Sequence, residues 1–135
     1  MNHLVAYAGS TEPLDYTMLA FTSPSAALVT ADSTYESGWR AATRNGAKLI
    51  KVALRKDFSH DVQAMCAADA NPGVIYICNP DNPTGSVTAR KELDYALAHK
   101  PKGSVLVVDE ASIHFAHSSA AWSTWSTWSP QAKTW

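Results

Sequence analysis

Cysteine is scarce in this chain: Cys66 and Cys78 are the only two in 135 residues. Two thiols so placed make neither a disulfide framework nor a zinc-ligand set, and a reducing cytoplasm is the expected setting. Neither sign of charge is in excess, with 11 basic against 12 acidic side chains and a formal net charge of −1. That balance leaves no electrostatic footprint for nucleic acid or an anionic membrane. Long apolar runs are missing as well. Val105–Val108 falls far short of the roughly 20 residues that cross a bilayer. The amino end, Met-Asn-His-Leu-Val-Ala-Tyr, has no basic start followed by an apolar core, so nothing suggests export.

What is present describes an ordinary globular domain. The chain is 46% hydrophobic and 17% charged, too apolar for intrinsic disorder and long enough for one core. One feature is abnormal. Four of the five tryptophans, Trp122, Trp125, Trp128 and Trp135, crowd the end of the chain within a Trp-Ser-Thr repeat. The sequence therefore divides into a body, residues 1–118, and a tail of different character, residues 119–135.

The body alternates helical and strand-like signals. The hydroxyls of Ser10 and Thr11 ahead of Glu12 and Pro13 read as capping residues at a helix start, with Leu14, Met18 and Leu19 as its apolar face. Ala26–Thr30 reads as a short strand. Tyr35–Asn45 reads as a helix closed by Gly46, and the alternating stretch Lys48–Leu54 as a strand. Asp61–Ala68 is a short helix with Val62, Met65 and Cys66 inward, stopped by Asn71-Pro72-Gly73. Val74–Cys78, apolar throughout, is a buried strand; Thr88–His99 is a helix; Ser104–Val108 is the last strand. Strands separated by helices imply right-handed crossovers and a mainly parallel α/β sheet. All strand carboxyl ends then lie along one edge, where open α/β folds bind ligands.

Two stretches stand on that edge. Past Val74–Cys78 comes Asn79-Pro80-Asp81-Asn82-Pro83-Thr84-Gly85. Asn, Pro and Gly make turns on their own account, but two Asn-Pro pairs in tandem before a helix also hold an amide in a fixed orientation. Past Ser104–Val108 comes Asp109-Glu110. The alternatives for Asp109 are a solvated loop acid or cap and a partly desolvated carboxylate that wants a cationic partner, such as the protonated ring nitrogen of a cofactor. His60, His114 and His117 lack further ligands at metal-binding spacing and read as surface or loop histidines. Lys48, Lys51, Arg55 and Lys56 read as a solvated strand face.

Asn79–Gly85 and Val107-Val108-Asp109-Glu110-Ala111-Ser112-Ile113-His114-Phe115 resemble the two signature stretches of class I/II aminotransferases, the fold-type I pyridoxal phosphate enzymes, and most nearly the histidinol-phosphate aminotransferases. The resemblance implies a fragment of the large, cofactor-binding domain and amino-group transfer between an amino acid or amine and a 2-oxo acid. It further implies pyridoxal 5'-phosphate as cofactor and a homodimeric parent enzyme. Residue by residue, it implies that Asn82 hydrogen-bonds the cofactor's phenolic oxygen and that Asp109 pairs with the pyridine nitrogen. Tyr35 then stacks on the ring, and Gly9-Ser10-Thr11-Glu12 forms the helix start that receives the phosphate. Ser10, Thr11, Glu12, Tyr35, Asn82 and Asp109 are the candidate cofactor-binding residues.

Departures from the pattern shape the expectation of activity. Where the family has a tyrosine three residues after the aspartate, this chain has Ser112, too short for the same reach. Members carry several dozen residues before the phosphate-binding helix start; here Met1 stands eight residues ahead of Gly9. The Schiff-base lysine that the family places in a Ser-Lys context has no counterpart. Lys133 is the only lysine after Asp109, and its surroundings match nothing. The expectation is a chain truncated at both ends, without a catalytic residue of its own and with little or no turnover. The alternative is a non-catalytic α/β remnant that binds a phosphate ligand or a partner chain.

The tail offers a cause. Read one base earlier, codons for the Trp-Ser-Thr repeat permit Leu-Val-Asp repeats, and those for the final residues permit Ala-Ala-Gly-Lys-Asp-Val. A frameshift near 118–121 would replace an amphipathic helix and strand by this repeat. The competing reading is a genuine tryptophan-rich segment that stacks on sugars. A three-residue repeat matches neither the strand period of 2 nor the helix period of about 3.6. Deletion of residues 121–135 is therefore expected to leave the thermal midpoint unchanged or to improve solubility. A cooperative loss of stability in the melt contradicts the out-of-frame reading.

Overall fold

In a computed structural model, residues 5–116 are described; the tail lies outside them. Four helices and four strands alternate: α1 Thr11–Phe21, β1 Leu28–Ala31, α2 Ser37–Arg44, β2 Leu49–Val52, α3 Val62–Ala67, β3 Val74–Cys78, α4 Arg90–His99 and β4 Val105–Asp109, followed by a 3-10 turn at Ile113–Phe115. The strands form one parallel sheet in the order β2-β1-β3-β4. This is the expected α/β architecture, and β3 spans the residues read from the sequence.

Side-chain alternation sorts the core into two layers. Leu28 of β1 and Val74, Tyr76 and Cys78 of β3 face α1 and α2, where Leu14, Met18, Ala41 and Ala42 meet them. Val29, Ile75 and Ile77 face the other way, onto Val62, Met65 and Cys66 of α3 and Leu93 and Ala96 of α4. Val62, Met65 and Cys66 are buried, as their spacing implies. β3 is buried along its whole length, which explains why it is apolar without alternation.

Element ends differ from the sequence expectation in instructive ways. Ser10 does occupy the N-cap of α1, but its backbone is right-handed helical (φ −91°, ψ −18°) and its hydroxyl makes no capping bond. A capping hydroxyl needs an extended backbone to turn back on the first-turn amides. At α3 the cap is real: Asp61 accepts from the Ala64 amide at 3.1 Å. The helix expected from Tyr35 begins at Ser37, because Ser33 sits at φ +65° and the chain is still turning there. Gly46, at φ +74°, closes α2 as expected. Arg55 is not on a solvated face; its guanidinium lies 3.4 Å from both Asp61 and Glu92, tying the start of α3 to α4.

Gly73 is more than the end of a turn. Its amide donates to the Ala27 carbonyl at 2.8 Å and its carbonyl accepts from Val105 at 2.9 Å, so it is pinned between β1 and β4. A Cβ there would collide with the Phe21 carbonyl at the end of α1. Backbone cannot yield as a flexible side chain does, and overpacking of this kind costs about 1–3 kcal/mol. Gly73→Ala is expected to destabilise the domain by that amount in a urea melt. An unchanged midpoint would show that the α1–β1 connection gives way.

Candidate active site at the strand ends

The site is placed by topology. β1 leaves the sheet toward β2 through α2 on one face, and β3 leaves toward β4 through α4 on the other. Loops from adjacent parallel strands that depart in opposite directions open a crevice at their carboxyl ends. The register agrees. β1 pairs with β3 only through Leu28–Val74 and Val29–Ile75, whereas it pairs with β2 through four residues.

Tyr35, from the loop after β1, and Asn82, from the loop after β3, line the same open cleft of about 520 Å³, with Trp39 and Lys51 on its wall. Trp39 is fixed there by a bond from its indole N–H to Thr30 at 3.4 Å and by the Lys51 ammonium 3.8 Å above its ring. Tyr35 is half-buried against the α1–α2 layer of the core, and Asn82 is exposed. The Thr11 hydroxyl lies 3.5 Å from the Tyr35 hydroxyl, which brings the start of α1 to this cleft. Ser10 is exposed beside Gly9, whose φ of +114° lets the backbone turn into the helix. The Glu12 carboxylate accepts a 2.7 Å bond from Tyr16 and lines a second cleft with Asp15 and Arg44. The side chain of Glu12 thus points along its own helix, while Thr11 faces Tyr35.

Asp109 ends β4 in register with Cys78, so its side chain stands on the same face of the sheet as Tyr76 and the Tyr35 layer. Its carboxylate accepts from the Tyr76 hydroxyl at 2.9 Å and from the Ala111 amide at 3.0 Å. Burial, reinforced by the neighbouring Cys78 and Asp109, pushes the Tyr76 phenol far above its ordinary range, so it remains a donor. Asp109 is half-buried and keeps acceptor capacity beyond these two bonds. Ser112, at the position of the family tyrosine, lines a separate cleft with Pro80 and Phe115.

The loop after β3 is braced from inside. Asn79 is buried, accepts from the Thr88 amide at 2.9 Å and donates to the Thr88 carbonyl at 3.3 Å, so the first Asn-Pro pair anchors the loop. Both Asn-Pro peptide bonds are cis. Beneath the loop lies a residue that the sequence misplaced. His60, expected on the surface, is 1% exposed. It bonds Thr88 through Nδ1 at 3.0 Å and places Nε2 3.7 Å from the Asp81 carboxylate, too far for a hydrogen bond. His114 is exposed, as expected; His117 lies outside the described residues. Among the described residues no group of three or more His, Cys, Asp or Glu is placed to hold a metal ion, and no helix is long and apolar enough to cross a membrane.

Burial lowers the pKa of His60, against an opposing pull from Asp81. The unfolded chain therefore takes up this proton first as the pH falls. Stability that depends on neutral His60 is complete above the ordinary imidazole value of about 6.5 and is lost progressively below it. Between about pH 7.5 and about pH 5 the melting temperature is expected to fall more steeply for the parent chain than for His60→Gln. Parallel profiles would show that His60 takes up its proton as readily in the folded chain as in the unfolded one.

The family model for aminotransferases of class I and II matches residues 2–134. The histidinol-phosphate aminotransferase of Bacillus subtilis (strain 168) is 38% identical over 104 residues, which is 76% of this chain and 29% of that protein. A candidate histidinol-phosphate aminotransferase from Erwinia carotovora atroseptica superposes with a TM-score of 0.77 at 33% identity, over 84% of this chain and 34% of that one. The Sinorhizobium meliloti histidinol-phosphate aminotransferase, solved in complex with pyridoxal-5'-phosphate, gives 0.66 at 26% identity, over 76% and 28%. The chain spans about three tenths of the length of the relatives it matches.

Proposed function

The chain belongs to the class I and II aminotransferase family, and on that premise we propose that it forms the large-domain half of a pyridoxal phosphate site. The observation that carries this reading is the meeting of Tyr35 and Asn82 in one cleft where β1 and β3 part. Asp109 stands one strand away on the same face. The donor set fits the group: an aromatic face, an exposed amide, a carboxylate and a helix start.

Bound there, pyridoxal phosphate supplies a ring that takes up the electron pair left when an amino acid gives up its α-proton. The residues of the chain do the rest. Asp109 would hold a proton at the ring nitrogen, and Tyr76, donating to one of its oxygens, fixes the direction of that carboxylate. Asn82 would donate to the phenolic oxygen, and Tyr35 would supply an aromatic face for the ring. The Ser10 and Thr11 hydroxyls and the amides of the first turn of α1 would hold the phosphate, where the helix dipole favours a dianion. Glu12 would contribute its amide alone, since its carboxylate is an anion with no donor to offer a phosphate and turns instead to Tyr16.

The whole reaction, amino-group transfer between an amino acid or amine and a 2-oxo acid, needs a lysine to move the α-proton. The part of that reaction we assign to this chain is cofactor binding. The body, residues 1–118, carries this binding function, and residues 119–135 an out-of-frame sequence that takes no part in it. A cytoplasmic setting and a small-molecule partner complete the reading.

Asp109→Asn removes the charge but keeps an acceptor for Tyr76. A hydrogen bond to a charged group contributes about 1.5–3 kcal/mol, so pyridoxal phosphate affinity is expected to fall by about one to two decades. The exposed control Asp57→Ala should leave it unchanged. Calorimetry decides, and equal affinities for parent and Asp109→Asn would remove Asp109 from the site.

A further inference from the structure

Asp81 is 3% exposed, a carboxylate buried directly beneath the exposed pair Asn82 and Pro83. Buried carboxylates persist only where donors meet them. Two hydroxyls do so here. The Thr34 side chain donates to Oδ1 across 47 positions of sequence, and Thr84 donates to Oδ2 at 2.7 Å from within the loop itself. The Asp81 backbone closes the same loop, accepting from Gly85 at 2.8 Å and donating to Ser86 at 2.8 Å. Thr34 is itself buried, 5% exposed. Below them His60 fills the floor without donating to Asp81.

Thr34 immediately precedes Tyr35, and Asp81 immediately precedes Asn82. The bond between them therefore crosses the crevice at its root, where the register of β1 with β3 has already ended. We propose that Asp81, gripped by Thr34 and Thr84, is a positioning residue that locks the loop after β1 to the loop after β3 and so sets Tyr35 against Asn82. The function of this clasp rests on the cofactor reading above; its existence does not. Without it the two loops lose a buried bond at the point where their strands have parted.

The test is amide hydrogen exchange on the full chain, read at both loops. Thr34→Val is expected to speed exchange about tenfold or more at Asp81 and Gly85, since losing one charge-assisted bond is worth at least that factor. Asp81→Ala, which removes the acceptor, should do the same at residues 32–36. Amides of the β3–β4 ladder should keep their protection, and Thr34→Ser, which restores the hydroxyl, should exchange like the parent. Loosening confined to the substituted loop overturns the clasp. So does uniform loss of protection across the sheet in both variants, which would make Asp81 a stability residue only. Pyridoxal phosphate titration of the same proteins separates the two claims. A clasp that loosens as expected in a chain that binds no cofactor keeps the clasp and defeats the cofactor reading. Cofactor affinity that falls about tenfold in Thr34→Val and recovers in Thr34→Ser supports both.

Discussion

The parting of β1 from β3 is the constraint on which the rest of the site depends. Two residue pairs hold these strands together, and then right-handed crossovers carry one chain to each face of the sheet. No side chain decides this; strand order does. The crevice brings Tyr35 and Asn82 to one place although 47 positions separate them, and the Thr11 hydroxyl at the start of α1 lies 3.5 Å from that of Tyr35. A sheet wound in one direction throughout would have placed these loops side by side with no gap between them.

A crevice of that kind is also a weak point, because the ladder that would stiffen it has ended. Buried polar groups take over where the backbone stops. Tyr76 spans from β3 to Asp109 on β4, Asn79 ties the base of its loop to Thr88, and Asp81 ties the same loop to Thr34. The Asn79 and Asp81 bonds are buried and the Tyr76 bond partly so, and losing one partner of a buried pair strands the other at a cost well above that of an exposed pair. Rigidity at the site thus comes from polar contacts, while the stability of the domain comes from the two apolar layers on either side.

Most of the fold was legible in the sequence. Apolar runs, helix-length spacers and turn residues gave every strand and helix to within a few positions, since those signals act locally. The six candidate residues were legible only through resemblance; chemistry alone left Asp109 and Asn82 as one reading among several. The inner support was not legible at all. His60 carries no local sign of burial, and its depth follows from the loop after β3 closing over it. Asp81 reads as a turn residue within Asn79–Gly85, and Thr34 carries no sign of its own in the sequence. Their pairing exists only once β1 and β3 are neighbours. The Ser10 hydroxyl misled in the opposite sense, being correct in composition for a cap but wrong in backbone angle.

Chemical-shift mapping of the full chain during titration with pyridoxal phosphate tests the central claim most directly, that residues from four separate segments form one site at the carboxyl edge of the sheet. The account predicts saturable shifts that move together at the amides of Ser10, Thr11, Tyr35, Asn82 and Asp109, with one midpoint for all of them. Shifts spread over exposed lysines without a common midpoint, and none at those five residues, would contradict it.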